Sequence, residues 1–287
     1  MKIITDSRCT EYHKPGHPER PQRVQRSVEK LKAQTDLQID WLEPLIPTDK
    51  QILRAHSRQH LESLNGDVDF DADTPAYPEI IAHARRSVGA ALHALKLCRA
   101  GEIAFSLMRP PGHHATKNQP MGFCFLNNIA IAVLEAQASG SKRVAVFDFD
   151  VHHGNGTEDI LLNRPDCAFF SVHQSPAYPG TGLAHRGDNC FNHTVEPDMP
   201  AAAYRDACSR ALAKLKEFKP DLIAVSAGFD SYKGDMLCNQ NMDLEDFNWI
   251  GKQINALKTP TFSLLEGGYS KALPELILAY LKGLNGK

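Results

Sequence analysis

Short apolar runs alternate along the chain with longer segments of helical period. Candidate strands fall at residues 2–5, 103–108, 143–149, 167–172, 222–226 and 261–265. Several are apolar at successive positions, as strands covered on both faces are. Segments 21–33, 49–64, 78–100, 127–139, 201–218, 244–257 and 274–284 predict helices. In the third of these, Ile80, Ile81, Ala84, Val88, Ala91, Leu92 and Leu95 recur mostly three or four apart, which makes one buried stripe. Such alternation predicts an α/β fold, a central parallel β-sheet flanked by helices and joined by right-handed crossovers. No linker, repeat or low-complexity tract interrupts the pattern, so residues 1–287 are expected to form a single domain, with long surface loops at 65–76 and 174–200.

In an open parallel sheet, ligands sit beyond the carboxyl ends of the strands. The residues that follow the candidate strands are Arg109-Pro-Pro-Gly-His-His114, Asp150-Val-His-His153, His173-Gln174, Ala227-Gly-Phe-Asp230 and Glu266-Gly-Gly-Tyr269. Most of the ionisable chemistry therefore gathers at one edge.

Composition narrows the field. With 32 Lys+Arg against 34 Asp+Glu and a net charge of −2, the chain lacks the basic excess of a polyanion-coating protein, and direct nucleic-acid binding is not expected. Apolar stretches break well before the ~20 residues of a membrane span. Seven Cys with no C-x-x-C pair indicate neither a disulfide scaffold nor a thiolate zinc finger. Asp6, Arg8 and Glu11 interrupt any secretory apolar region, so the expected location is cytoplasmic. The unusual number is 13 His, which directs attention to metal and proton chemistry.

In Asp148-Phe-Asp150-Val-His152, polar side chains at alternate positions project from one side of an extended chain. Two carboxylates and an imidazole in a buried place call for a cation, or for protons. A divalent metal with mixed N/O ligation satisfies them, and Asp230, at the end of another strand, can complete a three-ligand set that leaves a position for water and substrate. A solvated strand end is the alternative. His113 and His114 follow the stiff Pro110-Pro111-Gly112 turn; one ring can take a proton from water while the other orients the site, with Asp148 and Asn155 as partners. Tyr269, after Gly267 and Gly268, can hydrogen-bond a polarised carbonyl, or can simply belong to the core.

Five motifs occur in order: Arg109-Pro-Pro-Gly-His-His-Ala115, Gly122-Phe-Cys-Phe-Leu-Asn-Asn128, Asp148-Phe-Asp-Val-His-His-Gly-Asn-Gly-Thr157, Ser226-Ala-Gly-Phe-Asp230 and Leu265-Glu-Gly-Gly-Tyr269, preceded by His17-Pro-Glu-Arg20. Together they closely resemble the zinc-dependent histone deacetylase family, over nearly the whole chain. The resemblance implies the arginase–deacetylase fold and hydrolysis of an N-acetyl amide. It implies Asp150, His152 and Asp230 as Zn²⁺ ligands, and His114 as general base with His113 beside it, backed by Asp148. Tyr269 resembles the carbonyl-polarising tyrosine. Phe123 and Tyr178 resemble the aromatic walls of a narrow tunnel, with Gly122, Leu237, Gly267 and Gly268 along it. Asp148, Asp150, His152, Ser171 and Val172 match the family's K⁺ site. The substrate implied is an acylated lysine in a protein or peptide, or a small acylated amine.

Asn155, where some members carry Asp, leans toward the class II branch and its bacterial relatives. Met236-Leu-Cys-Asn239 departs from that branch. Leu237 still falls at the gatekeeper position where polyamine-specific members carry Glu, which disfavours acetylpolyamines. Asp73 is either a substrate-holding rim carboxylate or part of a solvated acidic loop. His56 and His60 are expected as surface histidines rather than a second metal pair, His153 and His173 as structural hydrogen-bonders, Cys124 as a buried thiol, and the Lys/Arg of residues 20–32 as a solvated helix face. An arginase-like ureohydrolase is the second enzyme reading, and the chain lacks the extra Asp ligands that a two-manganese cluster needs. A catalytically idle acyl-amine binding module is the third reading.

Overall fold

The computed structural model describes residues 1–287. Eight strands, β1 (Lys2–Ile4), β2 (Asp40–Leu42), β3 (Ala104–Ser106), β4 (Val144–Asp148), β5 (Cys167–Gln174), β6 (Cys190–Val195), β7 (Leu222–Ala227) and β8 (Thr261–Leu265), form one sheet in the order β2-β1-β3-β8-β7-β4-β5-β6. Every pairing is parallel. Strands β4, β5 and β7 are buried at every position, which requires cover on both faces. The helices supply it. In one set α4 (Ile80–Arg99), α5 (Asn128–Ala138) and α6 (Asn155–Leu161) pack on strands and in sequence on one another. In the other, α7 (Ala201–Phe218) packs on β4, β5 and β6 and continues through α8 (Leu244–Ala256) and α9 (Leu273–Leu284) to α1 (Gln22–Ala33). No helix is long and apolar enough to cross a membrane. All seven cysteines are unpaired and buried.

Four local expectations are corrected. The helix expected over 49–64 is two, α2 (Asp49–Ile52) and α3 (Arg58–Ser63). Thr48 caps the first with a reciprocal capping box to Gln51, and the Ser57 side chain accepts from the His60 N–H and starts the second. The loop expected over 174–200 contains β6, an edge strand paired only with β5. Residues 155–161, given no helix from sequence, form α6. His56 and His60 are not on the surface: both are buried and their rings stack 4.4 Å apart. His56 Nε2 accepts from the Asn127 N–H at 2.8 Å and His60 Nε2 contacts the Phe125 carbonyl at 2.7 Å, so the pair braces the start of α5.

The order β3-β8-β7-β4-β5 places five neighbouring strands side by side. The chain leaves their carboxyl ends as residues 107–114, 266–269, 228–230, 149–155 and 175–178. All five chemistry-bearing segments thus emerge along one stretch of the sheet.

Candidate active site

Asp150, His152 and Asp230 offer ligand atoms that all lie within 4.8 Å of one another, and all three residues are buried. His152 Nδ1 stands 3.2 Å from Asp150 Oδ1 and 3.1 Å from Asp230 Oδ2. Backbone crowds in beneath. The Gly267 N–H donates to Asp150 Oδ2 at 2.7 Å, and a Cβ on Gly267 would stand 2.1 Å from Asp230 Oδ2 and 2.6 Å from Asp150 Oδ2. A Cβ on Gly228 would meet Asp150 Oδ2 at 2.1 Å. Only glycine permits this packing. Two oxygens and one nitrogen at this spacing fit a Zn²⁺-type divalent ion.

The charges agree. Burial opposes a positive His152, yet its hydrogen bonds to Asp150 and Asp230 outweigh burial and hold its pKa well above the usual value. Burial pushes the Asp230 carboxyl up to about 6, with Asp150 adding to the effect. Burial also works against Asp150, but His113 and His152 together hold its carboxyl below the usual range. The cluster demands a cation among its carboxylates.

His113 and His114 form the next tier, with ring centroids 4.0 Å apart. His113 Nδ1 lies 3.1 Å from Asp148 Oδ2. Despite burial, the charges of Asp150 and Asp148 raise its pKa to about 10. His114 Nδ1 contacts Asn155 Oδ1 at 2.8 Å. Burial, and then the charges of His113 and His152, hold His114 well below the usual imidazole value, so the ring is neutral near pH 7. Glu266 fixes the turn that presents both rings, accepting from the N–H groups of Gly112 at 2.7 Å and His113 at 3.2 Å.

These groups face a cavity of about 330 Å³ lined by His17, Asp73, His114, Gly122, Phe123, His152, Tyr178, Leu237 and Tyr269. Gly122 has φ +56°, and a Cβ there would lie 2.5 Å from His114 Cδ2 and 3.0 Å from Tyr178 Cε1. Phe123 is itself left-handed at φ 68°, a conformation costly for a bulky side chain. Its N–H donates to Thr74 Oγ1 at 3.2 Å, and its ring meets Tyr269 edge-on at 5.7 Å. Tyr178 stands edge-on to His114 at 5.1 Å. Asp73 is exposed on the cavity rim. Gly267 and Gly268, expected along the tunnel, do not line it. Gly267 lies against the carboxylates, and a Cβ on Gly268 would meet Leu273 and Phe229.

Asp148 and Ser171 face each other across β4 and β5. The Tyr204 hydroxyl is within hydrogen-bond reach of the carbonyls of Phe149, Asp150 and Val172, so backbone oxygens of these two segments converge here. An oxygen-rich junction of this kind fits a monovalent cation. His173 bonds Ser171 Oγ at 2.9 Å and the Gly182 carbonyl at 3.1 Å, and His153 bonds Thr181 Oγ1 at 2.8 Å. Both histidines brace the Tyr178–Gly182 loop.

Several residues here lie outside the sequence reading. Arg23, within the stretch expected as a solvated face, is buried: Nε donates to the Gly268 carbonyl at 2.7 Å, Nη2 to that of Glu266, and the guanidinium lies 4.8 Å from the Tyr269 ring centroid. A signal was available, since Arg23 sits on the same helical stripe as Val24, Ser27 and Leu31. Asp235 accepts from the N–H groups of Tyr269 and Ser270 at 2.6 and 3.0 Å and so ties the departing loop to the Tyr269 turn. Cys238 Sγ lies 3.4 Å from His152 Nε2. Neither Asp235 nor Cys238 belongs to a periodic element that would have marked it.

The chain matches the histone deacetylase domain family over residues 17–284. It belongs to the histone deacetylase family. It is 37% identical over 299 residues to the histone deacetylase-like amidohydrolase of Pseudomonas aeruginosa, with 94% of this chain and 77% of that protein covered. Among solved structures, the HD domain of HDA15 superposes with a TM-score of 0.93 at 28% identity, covering 100% of this chain and 91% of the other. An acetylpolyamine aminohydrolase from Burkholderia pseudomallei gives 0.88 at 27% identity, covering 99% and 98%. The arginase–deacetylase fold expected from the motifs is therefore the fold of this chain, and the chain is an enzyme of the deacetylase and amidohydrolase group.

Proposed function

We propose that this deacetylase-family enzyme, as one catalytic domain over residues 1–287, hydrolyses the amide of an acylated primary amine, with acetyl-lysine in a peptide as its substrate. The observation that carries the reading is the convergence of a neutral buried His114, Tyr269 and His152 on the wall of one cavity also lined by Phe123 and Tyr178, with Asp150 and Asp230 clustered on His152 behind it. Asp150, His152 and Asp230 would hold the metal, Zn²⁺ by the donor set; when bound, it polarises the acyl carbonyl and acidifies water. His114, unprotonated and held by Asn155, takes the proton from water as it attacks. His113, kept charged by Asp150 and Asp148, favours the negative charge that develops. Burial raises the Tyr269 phenol well above its ordinary pKa, so it stays a hydrogen-bond donor for the oxyanion. A proton then passes to the leaving amine, and acetate is released. Asp148, Asp150, His152, Ser171 and Val172 would hold K⁺. Cytoplasmic residence remains part of the proposal and rests on the seven unpaired thiols.

Leu237 at the cavity wall offers no charge for a second ammonium, which favours lysine over a polyamine. The acetylpolyamine reading keeps one observation in its support, the Asp73 carboxylate at the rim. The test is acetate release by the zinc-loaded protein from an acetyl-lysine peptide and acetylputrescine, with urea release from arginine measured beside them. His114→Ala and Tyr269→Phe should each lower turnover at least about tenfold with metal content unchanged. Near-wild-type hydrolysis by either variant refutes its assigned role, and urea without acetate refutes the reaction class.

A further inference from the structure

Beside the substrate tunnel, and separated from it by Tyr269, lies a second cavity of about 440 Å³. The two share His17, Pro18 and Tyr269 as common walls. The second is lined by His13, Lys14 and Arg20, and no carboxylate lines it. A narrow cleft continues from it, sharing Arg20, Gln22 and Tyr269 and adding Arg26 and Lys271, again with no acid. Arg20 and Arg26 are exposed, Lys271 is exposed, and none of the three is in an ion pair; Lys14 is held by Asp69 at 3.3 Å. In a chain whose net charge is −2, this is a local excess of positive charge built against the wall of the active site.

The tunnel mouth itself carries the other sign. Asp73 lines it beside Tyr178, and its carbonyl lies 3.2 Å from His17 Nε2, on the wall that the two cavities share. Acidic Asp73 therefore belongs to the tunnel cavity, and the cavity behind Tyr269 has no acid in its lining. A substrate anion is disfavoured in the first and attracted by the second, which sets a preference. An extended peptide advances about 3.3 Å per residue, so a side chain within two positions of the tunnel-bound lysine reaches a cavity that begins at the tunnel's own wall.

We infer that the cavity behind Tyr269 is a subsite for a carboxylate of the substrate, and that the preferred substrate is an acyl-lysine peptide with Asp or Glu within two residues of the modified lysine. The inference rests on the deacetylase reading above and adds to it the charge of the flanking sequence.

Three acetyl-lysine peptides that differ only in having Asp, Lys or Ala on one side of the acetyl-lysine, and their mirror set on the other side, provide the test. For one of the two sets, kcat/KM at low ionic strength should be about tenfold higher with Asp than with Lys, and the gap should close at high salt, because exposed charges are screened. Arg20→Glu/Arg26→Glu should reverse the order and leave the Ala peptide unchanged. Equal rates for Asp and Lys in both sets, or a preference that neither salt nor the double variant alters, overturns the subsite. The salt comparison on wild-type protein decides even if the variant folds poorly. Absence of acetate from the Ala peptides overturns the deacetylase reading itself, a result distinct from loss of the charge preference.

Discussion

Replacing Asn155 by Asp changes one property of the site. The side chains have nearly the same shape, so the 2.8 Å contact to His114 Nδ1 can persist, but its acceptor turns from a neutral amide into an anion. In the native site, burial and then the charges of His113 and His152 keep His114 unprotonated. An opposite charge at hydrogen-bond distance favours imidazolium and raises the pKa by ~1–3 units, equivalent to ~1.4–4 kcal/mol. Below the new pKa, each unit of increase leaves about tenfold less of the free base. The acidic limb of the kcat/KM profile for acetate release should therefore move upward by about one unit or more, with the plateau above it retained. Metal content measured across the same range separates this effect from loss of the ion. A limb that stays in place or moves down refutes His114 as the base and Asn155 as the partner that tunes it.

Three further outcomes follow from the geometry. Gly122→Ala puts a Cβ 2.5 Å from His114 Cδ2 at a positive-φ position; kcat/KM should fall by about 10²-fold, and the melting temperature, read by calorimetry, should drop by a few degrees because alanine is strained there. Arg23→Met strips the guanidinium from the carbonyls of Glu266 and Gly268 and from the Tyr269 ring; steady-state kinetics should show lower kcat with little change in KM, and urea titration a loss of about 1–3 kcal/mol for the unsatisfied carbonyls. Buried His56 and His173 are each held down to about 3, so between that value and the ordinary 6.5 the unfolded chain binds protons that the folded chain refuses. Stability is then full above pH 6.5 and lost as pH falls, by ~2 kcal/mol for each ring at pH 5; urea titrations at the two pH values should show the drop, His173→Gln should reduce it, and a flat profile refutes the burial argument.

The parallel sheet was legible because its central strands are apolar at successive positions: 144–148 and 222–227 admit few readings other than fully covered strands. Strand β6 was hidden because an edge strand needs only part of its length buried, and Cys190–Val195 carries Asn, His and Thr. Helix α6 begins Asn-Gly-Thr, residues of low helix propensity, and its backbone packs so closely under the His pair that a Cβ on Gly156 would lie 2.3 Å from the Ala115 carbonyl oxygen. In the site, the residues to which the motifs assign chemistry stand in recognisable spacings, whereas those that hold them in place do not. Arg23 looks like any surface arginine until Tyr269 is seen under it. Gly267 lies against the carboxylates rather than along the tunnel, and sequence shows that a position is glycine but not which neighbour forbids a side chain.

The Arg23 contacts to Glu266 and Gly268 join positions 243 and 245 residues apart. The tyrosine loop thus depends on a helix made near the start of synthesis and can be clamped only after nearly all of the chain has emerged. A growing polypeptide would contain the Asp150–His152 pair well before Asp230 exists, and both before Tyr269 has a support. Because the Gly267 N–H also donates to Asp150 Oδ2, the acidic cluster and the tyrosine turn are completed together, by the same last stretch of the chain.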